Sequence, residues 1–206
     1  GITYHSRASG YVNGLSIERV QEQWDQIKNV NSRHPDVRLL RGIECDLLPD
    51  GSLDYPAEVL EGFDFVLVSA HSHFALSRED MTARFLKAVA NPFTDILGHP
   101  TGRILLERDE YALDLDAILQ ACIKHHVVVE INANPYRLDL DWRKVRQYRD
   151  SGLMFCITPD AHNPEGLDDL RYGLDVARKG GLEKQHLINT LTADEFLHRI
   201  RSRRKP

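Results

Sequence analysis

Short apolar runs alternate along this chain with longer stretches whose apolar residues recur at helical spacing. The runs are Gly1-Ile-Thr-Tyr-His5, Arg38 to Glu44, Phe63 to His73, Asp95 to His99, Val127 to Asn132 and Leu153 to His162. Each is short and contains β-branched, aromatic or aliphatic residues, the pattern of buried strands. The central run, Phe63-Asp-Phe-Val-Leu-Val-Ser-Ala-His-Ser-His73, ends in two histidines where such a strand would leave the core. Between the runs the period changes. Ser16 is placed to cap a helix whose Val20, Trp24 and Ile27 share a face, and His34-Pro35 stops it because proline disfavours helical geometry in the residue before it. Ser77 to Asp80 reads as a capping box before Met81, Phe85, Leu86 and Val89, with Asn91-Pro92 as the stop. Further helices are expected over Asp114–His126, over Asp139–Ser151 closed by Gly152, and near Leu167–Lys179, broken by Gly180-Gly181. Thr192 to Glu195 opens a terminal helix, and Pro49-Asp50-Gly51 marks a turn.

Strand and helix in alternation with short connections predict βα units, a parallel sheet and the α/β class, with about six strands in one domain. The length of 206 residues suits a single domain with a well-buried core. A net charge of -5 does not suggest a protein that grips DNA by global charge alone, and leaves room for a local basic lip or a basic partner domain. The three cysteines, Cys45, Cys122 and Cys156, lie inside apolar runs without paired spacing and read as buried, reduced thiols. No stretch reaches membrane-spanning length and no secretory leader is present, so a cytoplasmic protein is expected. The chain opens directly in a strand-like run, which suggests a piece of a longer protein.

Candidate chemistry sits where the runs end. They carry His5, Glu44, His71 with His73, His99, Glu130 with Asn132, and Asp160 with His162. Parallel strands deliver their C-terminal ends to one rim, so these side chains are expected to converge. One histidine after an apolar run is ordinarily a hydrogen-bonded strand end. The repetition on strand after strand is what points to a metal cluster. Imidazole and carboxylate suit Zn, Mn or Fe, and a carboxylate can bridge two cations about 3.5–4 Å apart for phosphoester displacement. His34, His125, His126, His186 and His198 fall away from that rim and read as structural or solvated. The basic tail from Arg199 to Lys205 reads as a solvated helix end that complements the helix dipole, with contact to phosphate as a further use.

These motifs resemble the polymerase and histidinol phosphatase (PHP) family over essentially the whole chain. The resemblance rests on Gly42-Ile-Glu-Cys-Asp46, Asp95-Ile-Leu-Gly-His-Pro-Thr-Gly-Arg103, Glu130-Ile-Asn-Ala-Asn-Pro-Tyr-Arg-Leu-Asp139 and Asp160-Ala-His162, and is most similar to the domain that ends bacterial family X DNA polymerases. It implies a distorted seven-stranded TIM-like β/α barrel holding two to three divalent metals. It also implies a 3′→5′ exonuclease or 3′-phosphatase acting on DNA 3′ ends beside an upstream polymerase domain. By position, the implied metal ligands are His5, Glu44, His71, His99, Asp160 and His162. Glu44, Asp160 and Arg103 are the implied catalytic residues, and Arg103, Arg137, Asn132 and His73 the implied substrate contacts. The family's opening His-x-His is absent here, and Tyr4 stands where an Asp commonly precedes the His. The barrel is therefore expected to lack its first strand, to bind fewer cations, and to hydrolyse weakly or not at all until that strand is supplied. A small phosphoester as substrate, as in histidinol phosphatases, and a non-catalytic scaffold are the alternative readings.

Overall fold

Five parallel strands run side by side in sequence order: β1 (Gly42–Asp46), β2 (Phe65–Ser69), β3 (Ile96–Leu97), β4 (Val128–Asn132) and β5 (Phe155–Thr158). The structure, a computed structural model, describes residues 1–10 and 13–204. Tyr11 and Val12 of the loop after His5, and Lys205 and Pro206 of the expected tail, lie outside the described residues. Among the described residues seven α-helices join or flank the strands: α1 (Ile17–Arg33), α2 (Ala57–Leu60), α3 (Arg78–Ala90), α4 (Leu115–His125), α5 (Trp142–Tyr148), α6 (Leu170–Gly180) and α7 (Ala193–Arg204). The α/β class and the parallel sheet agree with the sequence pattern. The sheet among the described residues has five strands, however, where the runs predict about six and the resemblance implies a seven-stranded barrel without its first strand. The first apolar run of this chain, Gly1 to His5, joins the sheet only as a bridged segment: Ile2 pairs with Arg41, His5 pairs with Glu44, and the Tyr4 carbonyl accepts from the Glu44 N–H at 2.8 Å.

Both faces of the sheet are covered, which is why its strands read as continuous apolar runs. Ile43, Cys45, Val66, Val68, Leu97, Val129, Ile131, Phe155 and Ile157 pack with Val20, Met81, Phe85, Ile118, Leu119, Val145 and Ala177 from the helices. Phe65, Leu67, Ile96, Val128 and Cys156 meet Ile188 and α7 through Leu197 and Ile200 on the other. Toward the C-terminal ends of the strands that second face turns polar. Ser69, Glu130, Asn132 and Thr158 follow Leu67, Val128 and Cys156 in the two-residue alternation of their strands.

The caps largely follow the sequence. Ser16 and Ser77 accept from the N–H groups of Arg19 and Asp80, and Thr192 with Glu195 forms a reciprocal box. The helix expected from Asp139 begins only at Trp142, capped by Asp141, because the Asp139 carboxylate turns inward to take the Thr101 and Gly102 N–H groups. All three cysteines are buried and unpaired.

The turn after β1 provides a titration marker. The Ser52 hydroxyl and N–H both donate to Asp50, and these bonds bring the Asp50 carboxyl down to about 2. A depressed folded value means that its stabilising contribution is present at neutral pH and lost as the pH falls toward 2. Titration followed by NMR should place Asp50 near that value, and Ser52→Ala should move it back toward the ordinary carboxylate range.

The basic tail departs from its expected solvated state. Arg203 donates to the carbonyls of His125, Pro92, Val89 and Asn91 at 2.6–3.1 Å. Arg204 donates to the Phe63 carbonyl and pairs with Asp95, a carboxylate with no exposure whose other partner is the Val66 N–H. These two guanidinium groups close the loops at the N-terminal ends of the strands, where carbonyls without sheet partners need donors.

Candidate metal centre

β1 places Glu44 and Asp46 on one face, since side chains two apart on a strand point the same way. Glu44 is buried and surrounded by imidazoles. Its Oε1 lies 3.2 Å from His71 Nε2 and 3.1 Å from His99 Nε2, and its Oε2 lies 3.7 Å from His5 Nδ1. Ser69 also donates to Oε1 at 2.7 Å. His71 and His99 come from the turns just after β2 and β3, and His5 from the segment bridged to β1. Side chains far apart in sequence therefore meet at the C-terminal edge of the sheet, as strand-end spacing predicts.

The electrostatics favour positive charge at this point. Burial pushes the Glu44 carboxyl up, yet the bonds from His71 and His99 outweigh it and hold Glu44 well below the usual range. Burial likewise opposes charge on His71, but Asp46 and Glu44 on either side push that ring up to about 9. His5, without a carboxylate hydrogen bond, is lowered by burial.

The donor set fits a divalent cation. Ligands at about 2.1 Å around a tetrahedral centre stand about 3.4 Å apart, and the Glu44–imidazole separations of 3.1–3.7 Å bracket that value. His5, Glu44 and His71 each offer an atom within 4.8 Å of the others. His5 Nδ1 is buried and has no hydrogen-bond partner, as expected of a nitrogen reserved as a ligand. His71 Nδ1 is 2.7 Å from Asp46 Oδ1, so Asp46 holds the ring with Nε2 toward Glu44, the carboxylate–histidine arrangement that orients metal ligands. Ser9 donates to the other Asp46 oxygen.

A second group lies beside the first. Asp160, just past β5, is 3.2 Å from Arg137 Nε and accepts from Asn132 Nδ2 at 3.0 Å. Glu130 accepts from the His99 N–H at 2.6 Å, from Asn132 and from the Thr158 hydroxyl, which ties the two groups together. Burial moves the Glu130 carboxyl up to about 7. Arg137 Nη1 is buried and has no partner.

The other expected site residues are placed differently. The His162 side chain is 63% exposed and its ring centroid is 6.2 Å from that of His5, at the edge of the cluster. His73 is exposed with a left-handed backbone (φ 57°) and makes no hydrogen bond to the cluster among the described residues. Arg103 makes no hydrogen bond or ion pair with the histidines among the described residues. It donates to the carbonyls of Arg137 and Leu138, and so braces the loop that carries Arg137. A cavity of about 420 Å³ lined by Trp24, Arg41 and Asp64 shares no residue with the cluster.

Asp46 is the participant that sequence reasoning missed, although its two-residue offset from Glu44 was a usable signal. Asp46→Asn should weaken divalent-cation binding about 10–100-fold with the fold intact, the usual cost of losing a ligand-orienting carboxylate. Titration calorimetry with Zn²⁺ checks this, and unchanged affinity would remove Asp46 from that role.

Comparison with known proteins agrees with this chemistry. The chain is 39% identical over 188 residues to a protein named "DNA polymerase/3'-5' exonuclease PolX" from Bacillus subtilis, an alignment that covers 91% of this chain and 33% of the relative. It is 25% identical over 167 residues to a "probable phosphatase" of a Thermoanaerobacter species, covering 75% of this chain and 64% of the relative. A "probable phosphatase" of Vibrio parahaemolyticus is 27% identical over 181 residues, covering 83% and 70% respectively. The chain thus spans about a third of the polymerase-type relative and about two thirds of these phosphatases. No family model matches.

Proposed function

We propose that this chain is the greater part of a PHP-type phosphoesterase domain, a β/α barrel that uses divalent cations to hydrolyse phosphoesters at DNA 3′ ends. The observation that carries the reading is the convergence of three imidazoles on the buried Glu44, next to the Asp160–Arg137 pair. Divalent cations bound there would act as Lewis acids toward a phosphoryl group and neutralise charge developing on its oxygens.

The chain's own residues supply the rest. Glu44, His5, His71 and His99 hold the cation position, and Asp46 fixes the His71 ring. Asp160 and His162 extend the ligand set on the His5 side. Arg137 presents a donor, Nη1, not taken by any protein group, suited to a phosphate oxygen, while its Nε stays on Asp160. Arg103 holds the Arg137 loop in place, a supporting role in contrast to the direct phosphate contact the family pattern implies. Asn132 spans Glu130 and Asp160 and so sets the distance between the two groups. His73, outside this network, could meet only an extended substrate.

The resemblance to a polymerase-type exonuclease, at higher identity and over more of this chain, favours DNA as substrate and a polymerase domain as covalent partner. The second reading, a small-molecule phosphatase, draws on the phosphatase relatives and on the acidic net charge. Release of nucleotides from a 3′-labelled single-stranded oligonucleotide, compared with turnover of a phosphomonoester in Zn²⁺ or Mn²⁺, separates the two. Cation-dependent cleavage of the oligonucleotide supports the lead. Turnover of the monoester alone supports the rival. Because this chain by itself is expected to hydrolyse weakly or not at all, both assays are repeated with the upstream residues restored, and no turnover in either cation then defeats both readings.

A further inference from the structure

Exposed apolar side chains gather on two loops at the edge of the sheet that bears the candidate centre. Leu105 and Leu106 lie on the loop that follows His99, and Tyr136 on the loop that follows Asn132. Leu106 is fully exposed and Tyr136 is 67% exposed. A lone exposed apolar residue needs no explanation, but a group of them beside a polar site points to a ligand. The two loops are joined, because the Leu105 N–H donates to the Tyr136 carbonyl at 2.7 Å. Each is also held internally. The N–H groups of Arg137 and Leu138 close on the Asn134 carbonyl at 2.8 and 3.0 Å, and Asn134 Oδ1 takes the Tyr136 N–H at 3.0 Å. Ile104 and Arg108 exchange backbone bonds at 2.9 and 2.8 Å around Leu105 and Leu106, and the Arg108 guanidinium lies 4.4 Å over the Phe74 ring. The exposure of these side chains is therefore set by a stiff backbone.

We propose that Tyr136, with Leu105 and Leu106 on the adjoining loop, receives the base of the nucleotide whose phosphate meets Arg137, and so selects an unpaired polynucleotide end over a small phosphoester. The occupant follows from the next residue in the chain. Arg137 has its Nε 3.2 Å from Asp160 Oδ2, and its Nη1 has no protein partner. Consecutive residues of one turn thus offer a guanidinium beside the candidate centre and an exposed aromatic ring next to it. A nucleotide presents matching groups, a phosphate and a base separated by one sugar. A protein partner would account for the apolar side chains but not for the guanidinium beside them. Stacking on tyrosine accepts any base, since every base has a π-face, and a ring on a loop already held in place loses little freedom on binding. Tyr136 is a specificity residue that touches the base and not the reacting atoms. The inference rests on reading the centre as one that acts on DNA ends.

The test reads binding, on the whole chain loaded with Zn²⁺. The probes are a fluorescent single-stranded oligonucleotide whose 3′ linkage is a phosphorothioate that resists cleavage, and the same strand with an abasic 3′ nucleotide. By anisotropy, wild type should bind the intact strand about 5–150-fold more tightly than the abasic one, the range of one base–aromatic stack. Tyr136→Ala should lose that preference by weakening the intact strand alone, with Zn²⁺ affinity by calorimetry unchanged. Tyr136→Phe keeps the ring and should keep the preference. Equal affinity of wild type for the two strands, or an equal loss on both in Tyr136→Ala, overturns the proposal. So does an unchanged affinity for the intact strand in Tyr136→Ala, which would leave the patch to a protein partner. None of these results touches the phosphoesterase reading, which is judged by turnover. A preference that Tyr136→Ala removes, in a chain that cleaves neither oligonucleotide nor monoester with its upstream residues restored, supports the base contact and defeats the hydrolytic reading, so the two fail separately.

Discussion

Arg204→Ala is expected to lower the stability of the folded chain by about 3–5 kcal/mol, the usual cost of removing one partner from a buried ion pair. The partner left behind is Asp95, a carboxylate with no exposure that takes one N–H from Val66 and two guanidinium contacts from Arg204. The neighbouring Arg203 also acts on this carboxyl, but its guanidinium is held by the carbonyls of His125, Pro92, Val89 and Asn91. The cost has a definite pH dependence. Burial already raises the Asp95 carboxyl above its ordinary value even with Arg204 in place. Removing the guanidinium raises it further, so the folded variant takes up a proton more readily than the unfolded one. Its deficit should therefore shrink as the pH falls and grow as the pH rises through that folded value. Urea unfolding of wild type and Arg204→Ala at pH 5 and pH 8 checks both claims. Adding Asp95→Asn to the variant should recover part of the loss. Equal stability of wild type and variant at pH 8 would show that the tail does not close the base of the sheet.

Glu44→Gln should have the largest effect on binding and turnover. Three imidazole nitrogens face this one carboxylate at 3.1–3.7 Å. The amide keeps an oxygen to accept from Ser69, so the fold should persist. It loses the negative charge that holds the centre together and offers an N–H where a ligand lone pair is needed. Loss of an orienting residue behind a ligand costs about 10–100-fold, so loss of the shared carboxylate itself should exceed about 100-fold in Zn²⁺ affinity and in hydrolysis. Calorimetry with Zn²⁺ alone measures the first without assuming a substrate. Retained affinity would mean that the histidines gather around Glu44 for structural reasons.

The phosphoesterase reading depends on convergence, and convergence was legible before any coordinates. Parallel strands share a C-terminal edge, so histidines and acids that recur where apolar runs end must meet if the runs are neighbours. His5, Glu44, His71 and His99 do so. The helix starts were legible for a local reason: Ser16, Ser77 and Thr192 each satisfy N–H groups within three residues of themselves.

Tertiary structure alone decided what depends on distant partners. Arg204 reads as a solvated basic tail because nothing near it in the chain is acidic and buried, and its partner lies 109 positions away. Asp139 looks like the start of a helix because its neighbours have helical character, yet its carboxylate is drawn to a turn 37 and 38 positions upstream. The same limit explains Arg103, whose charge suggests a phosphate contact but whose Nε and Nη2 are held by carbonyls on another loop while Nη1 lies near Glu110 and Asp141. Periodicity and capping are properties of a few adjacent residues, so the order of strands and the ends that bear ligands can be read from the chain. Which acid backs which histidine, and which arginine is already satisfied, is settled only when buried polar groups compete for partners across the folded molecule.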